Sequence, residues 1–170
     1  NCPKETIEYV RKLAKSRDIP LAVIPVSGPK MDRLSEDLTG ITWLVLNRDE
    51  AEQYLGKSIE TPADWQDSAK KLRELGAENV LITGGKRGVI AANHSSVQHF
   101  DAFQAETLQD VTGAGDAFSS GVIHSFLNGR EFDATIRSGL MNATKTLQSE
   151  TTVRTELTAE QLKKELEELQ

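Results

Sequence analysis

The sequence predicts a layered α/β domain, because segments with helical and strand patterns alternate along the chain. Its 170 residues are 38% hydrophobic and 27% charged, which is enough apolar material for one continuous core. There is no internal repeat, low-complexity tract or linker in the sequence. We therefore expect a single domain over residues 1–170.

The first part of the chain predicts helices and strands in turn. Pro3 suits a first helical position, and Thr61 followed by Pro62 suits the start of another helix. Apolar runs with strand composition lie between these helices. The predicted elements, in order, are a helix from Pro3, a strand over 19–26, a short helix over 31–37, a strand over 41–47 and a helix from Pro62 to Gly76.

The second part predicts three more strands and then three helices. Two apolar strands surround a glycine-rich connection, and long helical stretches follow the glycine-rich motif near residue 113. The predicted elements are two strands within 79–93, a strand over 96–100, helices over 115–128 and 131–147, and a helix after Thr158.

Charge and composition favour a small-molecule ligand. The formal net charge of −6 argues against nucleic acid or an anionic membrane as the main partner, since both need clustered lysine and arginine. No apolar run reaches the length of a membrane span, and the start lacks signal-peptide features. The lone Cys2 leaves no disulfide framework, so we expect a cytoplasmic location. A start without Met is typical of a fragment.

The stretch DVTGAGDAFSSG, residues 110–121, combines a glycine-rich turn with the start of a helix. The backbone N–H groups of Gly113, Ala114 and Gly115 can point out of the helix N-terminus and form an anion site. Asp116 has two interpretations. Its carboxylate is favourable beside the helix dipole in any protein, and it is also suited to accept a hydroxyl proton during phosphoryl transfer.

Two common phosphate-binding motifs are excluded. The stretch GGKRGVIA, residues 84–91, lacks the spacing of a Walker loop. The dinucleotide fingerprint needs a third Gly or Ala where Phe118 stands, which argues against a Rossmann dehydrogenase.

Three stretches in one order resemble the ribokinase-like carbohydrate kinases of the PfkB family. The stretch 110–121 resembles the family's C-terminal signature, with Val111 where Thr is common. NRDE at 47–50 resembles its Asn-Xaa-Xaa-Glu motif, and ITGGKRGV at 82–89 its nucleotide segment. The resemblance implies a three-layer α/β/α sandwich around a mainly parallel sheet. It covers only the C-terminal, nucleotide-binding and catalytic portion of a member, without the N-terminal sugar-binding part and the lid.

The resemblance implies catalytic roles for the helix start. Asp116 would be the general base, and the amides of Gly113, Ala114 and Gly115 would form the anion hole. Asp110 and Thr112 would help to form a site for a monovalent cation such as K⁺. The alternative, that they serve only as turn and cap residues, is equally open.

The resemblance also implies nucleotide-binding roles in the other two motifs. Asn47 and Glu50 would orient hydrated Mg²⁺ and the phosphates of ATP through water, while their spacing alone favours a capping box. Thr83, Gly85 and Gly88 would lie along the nucleotide, or would form an ordinary connection between strands.

Three further residues have weaker or no roles at the nucleotide. Asn142 resembles a residue of the helix that borders the adenine, although an Asn on a helix more often faces solvent. Lys86 and Arg87 are interpreted as solvated charges of the turn and are left out of the site.

The resemblance indicates an ATP-dependent kinase that acts on a sugar or nucleoside hydroxyl. IPVSGPKMDRL, residues 24–34, and SETTV, residues 149–153, resemble pseudouridine kinases, but Ile24 stands where that branch has Asp. A pseudouridine-like nucleoside and a free sugar such as ribose both stay open. The alternative is a non-catalytic nucleotide-binding module with the same fold. We expect this chain alone not to be fully active, because groups that position the acceptor are missing. A homodimer of the full-length protein stays open, because the lid that often mediates dimers in the family would lie upstream.

Overall fold

The structure is a computed structural model that describes residues 2–25, 27–105 and 112–167. Helices and strands alternate, as the sequence predicts, and the α/β fold class is confirmed. The helices are α1 (Lys4–Ser16), α2 (Arg48–Leu55), α3 (Pro62–Glu74), α4 (Ala114–Leu127), α5 (Phe132–Leu147) and α6 (Ala159–Glu167). The strands are β1 (Ala22–Val23), β2 (Trp43–Asn47), β3 (Asn79–Thr83), β4 (Val89–Ala92) and β5 (Val97–Phe100).

The five strands form one sheet in the order β1-β2-β3-β4-β5. β2 lies parallel to both β1 and β3, and β4 returns antiparallel to β3 after a short turn. The sheet is therefore mixed and mostly parallel. Asn47 and Thr83 are register partners at the carboxyl ends of β2 and β3, so two residues from different motifs lie side by side.

The described contacts divide the chain into two compact units, residues 1–99 and 100–170. In the first unit, α2 and α3 pack on the central strands. Both tryptophans of the chain are buried there, with Trp43 4% and Trp65 5% exposed. That residues 1–170 act as one nucleotide-binding and catalytic portion stays a prediction. Within the described ranges, no helix has both the length and the apolar character needed to cross a membrane.

In the second unit, α4 and α5 approach each other at two glycines. A Cβ atom on Gly121 would lie 2.7 Å from the carbonyl oxygen of Ser138, and one on Gly139 would lie 2.7 Å from a methyl group of Val122. Glycine at both positions lets the two backbones approach closely. α6 packs against α5 on the same unit.

Two predicted elements differ from the structure. The strand predicted over 19–26 is reduced to Ala22–Val23, because Pro20 and Pro25 flank it and neither can donate a backbone N–H to a neighbouring strand. The short helix predicted over 31–37 lies earlier, as a 3₁₀ turn over Gly28–Arg33 with a proline in its first turn. The other predicted elements are present within a few residues of their expected bounds.

Candidate nucleotide and phosphoryl-transfer site

The start of α4 presents backbone donors without a side-chain cap. Gly113 is the N-cap residue, and the first intrahelical bond runs from the N–H of Ala117 to the carbonyl of Gly113, at 2.8 Å. The N–H groups of Ala114, Gly115 and Asp116 precede that bond and have no acceptor within the helix. No side chain of the described residues caps this helix. Two of the predicted amides, those of Ala114 and Gly115, thus lie in this turn together with the amide of Asp116, and Gly113 is the cap residue.

The two glycines of this turn differ in what the fold demands of them. Gly113 has a φ of +83°, and a Cβ there would lie 2.6 Å from the carbonyl oxygen of Thr152. Gly115 has no positive φ, and a Cβ there would meet no atom of residues 2–25, 27–105 and 112–167 within 4 Å, apart from the backbone of its own helix. Backbone geometry therefore requires glycine at 113, whereas glycine at 115 has no such requirement and weakens a helix relative to alanine.

Asp116 is exposed in the first turn of α4, directly after these amides. A carboxylate is favourable at the positive end of the helix dipole. It also lies next in the chain to donors that can hold an anion, so one short segment carries both an acceptor for a proton and donors for negative charge.

In the first unit, Asn47 and Glu50 form a capping box at the start of α2. The Asn47 side chain accepts the N–H of Glu50 at 2.8 Å, and the Glu50 carboxylate accepts the N–H of Asn47 at 2.9 Å. The capping interpretation of their spacing is confirmed. Glu50 is only 5% exposed. Burial raises the pKa of its carboxyl group, although the bond from Asn47 acts in the opposite direction.

The buried charge of Glu50 is not needed for the cap. Gln can serve the same position of a capping box, because only an acceptor oxygen is required. A carboxylate whose pKa is raised by burial therefore costs stability at neutral pH without improving the cap. This cost is consistent with a ligand that needs negative charge at this position.

An open cleft of about 360 Å³ lies at the carboxyl ends of β2 and β3. It brings together three of the predicted nucleotide-binding residues, Asn47, Thr83 and Gly85. Four more residues line it that were not predicted for the site: Arg48, Asp49, Gly84 and Arg87. The interpretation of Arg87 as only a solvated turn charge is incomplete, because this cation borders the cleft. The sequence signal that could have placed Arg87 in the site was a basic residue within a glycine-rich turn.

The cleft is bordered by a tight turn between β3 and β4. The N–H of Gly84 donates to the carbonyl of Gly88 at 2.9 Å, and the N–H of Gly88 donates to the carbonyl of Gly85 at 3.0 Å. Gly85 and Gly88 have φ values of +59° and +84°, which side chains rarely allow. The strand-connection interpretation of these glycines is thus also satisfied.

Trp65 and His99 pack behind this turn. A Cβ on Gly84 would lie 2.3 Å from a ring carbon of Trp65, so the indole lies directly on the backbone of the turn. The Nε2 of His99 donates a hydrogen bond to the carbonyl of Arg87 at 2.6 Å, and its ring lies 5.7 Å from that of Trp65. The backbone of the turn is therefore held from one side by aromatic side chains.

Asn142 is buried rather than solvent-facing, with 2% exposure. Its amide nitrogen donates to the carbonyl of Ala117 at 2.7 Å and to the hydroxyl of Ser120 at 3.0 Å. The expectation that this Asn faces solvent is wrong, because the nitrogen and the oxygen of its side-chain amide both have hydrogen-bond partners inside the unit. Its contact with a nucleotide stays a prediction.

The described residues fit a hydrated cation better than a cage of protein ligands. Within these ranges, no group of three or more His, Cys, Asp or Glu side chains could hold a metal ion. Mg²⁺ commonly keeps several waters and binds through one or two carboxylates together with phosphate oxygens. Asn47 lines the cleft, and a water-mediated role of Glu50 and Asn47 toward Mg²⁺ stays a prediction. Asp110 lies outside the described residues, and Thr112 is exposed just before α4.

Comparison with curated proteins finds sugar and nucleoside kinases. The chain is 27% identical over 137 residues to a ribokinase of Haemophilus influenzae, covering 81% of this chain and 44% of that protein. It is 36% identical over 93 residues to an ATP-dependent 6-phosphofructokinase of Thermoanaerobacterium thermosaccharolyticum, covering 55% and 27%. It is 27% identical over 137 residues to a pseudouridine kinase of Escherichia coli, covering 81% and 43%. The chain thus spans less than half the length of these relatives.

Comparison with solved structures and with protein families gives the same result. A carbohydrate kinase from Agrobacterium tumefaciens superposes with a TM-score of 0.80 at 27% identity, over 97% of this chain and 51% of that chain. The ribokinase-like fold inferred from the three motifs is confirmed. Residues 1–159 match the pfkB family of carbohydrate kinases. The chain belongs to that family.

Proposed function

We propose that the whole protein transfers a phosphoryl group from ATP to a hydroxyl of a sugar or a nucleoside. Membership of the pfkB family supports this reaction class. The first unit supplies groups that bind the nucleotide, and the second supplies the base and the backbone donors for transfer. The isolated chain is expected to be inefficient, because positioning of the acceptor contributes much of the rate in such a reaction.

Glycine at position 115 is the observation that carries the proposal. Outside the backbone of its own helix, a side chain there would meet no atom of the described residues within 4 Å, and φ does not require glycine. A glycine in a helix costs up to about 1 kcal/mol relative to alanine. The remaining physical reason for it is the close approach of a ligand to the helix start, where free N–H groups favour an anion.

Asp116 acts as the general base in this proposal. The acceptor oxygen forms a bond to the γ-phosphorus, the bond from that phosphorus to the bridging oxygen of ADP breaks, and the hydroxyl proton passes to the Asp116 carboxylate. The amides of Gly113, Ala114 and Gly115 stabilise the negative charge of the phosphoryl oxygens during transfer. A carboxylate suffices as base, because the hydroxyl loses its proton only as the new bond forms.

Nucleotide binding belongs to the cleft at the ends of β2 and β3. Thr83 and Gly85 line it, and Gly88 closes the turn beside it. Glu50 and Asn47 orient water molecules of Mg²⁺, which neutralises phosphate charge when bound. K⁺ near Asp110 and Thr112 is part of the same proposal and follows from the resemblance to the family.

The proposed acceptor is a pseudouridine-like nucleoside or a ribose-like sugar. Both kinds of kinase occur among the relatives. The segments 24–34 and 149–153 favour the nucleoside, whereas Ile24 in place of Asp weakens that assignment. A homodimer and a cytoplasmic location of the full-length protein stay predictions.

Replacing the base tests the mechanism. In the full-length protein, Asp116→Asn should lower kcat roughly a hundred- to ten-thousand-fold with little change in ATP affinity, because a general base is lost. Asp133→Asn is the matched control, since Asp133 is also an exposed carboxylate in the first turn of a helix of this unit. Equal kcat values for the two variants would remove Asp116 from the mechanism.

An acceptor panel tests the reaction class. The full-length protein is incubated with ATP, Mg²⁺ and separate sugars and nucleosides, including ribose, fructose, cytidine and pseudouridine, and phosphorylated products are measured. We expect one acceptor to be preferred clearly over the rest. If no acceptor is phosphorylated although ATP binds, the chain is the non-catalytic nucleotide-binding module instead.

A further inference from the structure

A buried ion pair lies in the second unit, outside the site described above. The Nη1 of Arg154 donates to Glu165 Oε1 at 2.8 Å, and Nη2 donates to Glu165 Oε2 at 3.2 Å. Their side chains are only 4% and 7% exposed. A bidentate guanidinium–carboxylate pair of this kind fixes orientation as well as distance.

Asn142 connects this ion pair to the start of α4. Its side-chain oxygen accepts a hydrogen bond from Arg154 Nη2 at 2.9 Å. Its amide nitrogen donates to the carbonyl of Ala117, the residue after Asp116, and also to Ser120. The Ser120 hydroxyl in turn donates to the same Ala117 carbonyl, at 2.9 Å. Arg154 and Glu165 are thus linked by one amide to the first turn of α4.

The chain near Arg154 contacts the same turn a second time. A Cβ atom on Gly113 would lie only 2.6 Å from the carbonyl oxygen of Thr152. The segment that carries Thr152 and Arg154 therefore lies against the N-cap residue of α4 and is also linked, through Asn142, to Ala117 of the same helix.

An ion pair at this depth is a costly way to obtain stability alone. Removing two charges from water costs several kcal/mol per ion, and apolar residues of similar size often give equal or greater stability. Burial alone would raise the pKa of Glu165, but its hydrogen bonds from Arg154 and Gln161 and the nearby positive charge outweigh this and lower it. The pair is therefore ionised at neutral pH and presents a directed donor to Asn142.

We propose that Asn142, Arg154 and Glu165 are positioning residues that hold the first turn of α4, with Asp116 and its amides, in the geometry for phosphoryl transfer. This inference rests on the proposed function. Misplacement of a catalytic group by about 1 Å costs on the order of a hundredfold in rate. The network touches the carbonyl next to Asp116, so its loss changes turnover more than substrate affinity.

The test compares Asn142→Asp with Thr135→Val in the full-length protein. Asp keeps an acceptor for Arg154 but cannot donate to the Ala117 carbonyl, so it breaks the link to α4. It also places a second carboxylate beside Arg154 and Glu165, so Glu165→Gln below serves as the variant without added charge. Thr135 is the control, because it is 1% exposed on the same helix and donates only locally, to the Arg130 carbonyl at 3.3 Å. We expect Asn142→Asp to lower kcat about ten- to a hundredfold with both KM values within about threefold of wild type. Thr135→Val should keep wild-type kcat.

Amide hydrogen exchange separates this inference from the proposed function. The Ala117 amide bonds to the Gly113 carbonyl and so reports the first turn directly. Asn142→Asp should speed its exchange at least about tenfold, and Thr135→Val should not. If the wild type phosphorylates no acceptor, the proposed function fails, and this exchange still decides whether the network holds the turn.

Glu165→Gln serves as a milder second variant should Asn142→Asp not fold. It keeps an acceptor for Arg154 and removes the charge, so kcat should fall less than in Asn142→Asp, and the Ala117 exchange should rise. Wild-type exchange at Ala117 in either network variant, or kcat equal to that of Thr135→Val, would overturn the inference.

Discussion

The starts of α2 and α4 are built in opposite ways. At α2, the side chains of Asn47 and Glu50 satisfy each other's backbone N–H groups in a capping box. At α4, the cap residue is Gly113, and no described side chain occupies the donors that follow. Side-chain capping and ligand binding compete for the same N–H groups. The side chains at α2 are therefore fixed by the cap, whereas α4 has uncapped backbone donors beside the exposed carboxylate of Asp116.

Gly113→Ala, at the uncapped start of α4, should cause the largest loss of stability. An alanine at a φ of +83° costs about 1–2 kcal/mol, and displacing the Thr152 carbonyl from the new Cβ adds about 1–3 kcal/mol. Urea unfolding of the full-length protein should show a loss of roughly 3 kcal/mol. Unchanged stability would mean that the left-handed conformation of the cap is not required.

Gly115→Ala should separate activity from stability. The new methyl group meets no atom of the described residues beyond its own helix, so the free energy of unfolding should stay equal or rise by up to about 1 kcal/mol. The methyl group would stand where the phosphoryl oxygens approach, so kcat/KM should fall about ten- to a hundredfold. Steady-state kinetics and urea unfolding of the same preparation measure both effects. Wild-type kinetics in this variant would contradict close approach of a ligand.

Glu50→Gln should change the free energy of unfolding least, and the sign of that change tests whether burial of the Glu50 charge costs stability. Burial raises the pKa of Glu50 in the folded protein above its value in the unfolded chain. The protonated group therefore stabilises the fold at pH values below the unfolded pKa, and this stabilisation is lost as pH rises through the folded pKa. Gln keeps the cap without titrating. The variant should therefore match wild type near pH 4 and be more stable by up to about 1 kcal/mol near pH 7.

Asp64→Asn is the matched control for Glu50→Gln, because Asp64 holds the equivalent position in the capping box of α3. Hydrogen bonds from Thr61 and from Lys57 lower the pKa of Asp64 to about 2. Its stabilising effect is thus present above the unfolded pKa and is lost as pH falls toward 2. This variant should be less stable than wild type near pH 7. If both variants were less stable than wild type near pH 7, burial would not determine how Glu50 contributes to stability.

The local sequence predicted most elements of the fold. Capping residues were informative. Thr61 with Pro62 marked the start of α3, and the spacing of Asn47 and Glu50 marked the capping box of α2. The strand over 19–26 was overestimated, because hydrophobicity alone does not show that prolines interrupt the pairing.

Residues whose roles depend on tertiary packing were not predictable from the sequence. Asn142 was interpreted as a nucleotide contact or a solvent-facing residue, and only the approach of α5 to α4 buries it against the Ala117 carbonyl. Arg154 and Glu165 are separated in sequence and had no motif that joined them. Arg87 borders the cleft because β4 returns antiparallel to β3, which pattern alone did not show.

The contact of Gly121 and Gly139 between α4 and α5 has a consequence for how this protein can vary. Each glycine faces the backbone or fixed side chains of the other helix, with less than 3 Å available for an added Cβ. In most cores, a larger residue on one side can be accommodated by a smaller residue opposite. Here both positions already hold the smallest residue, so no exchange between them can create space. A combinatorial redesign of this helix pair would have to leave both glycines unchanged and vary the residues around them.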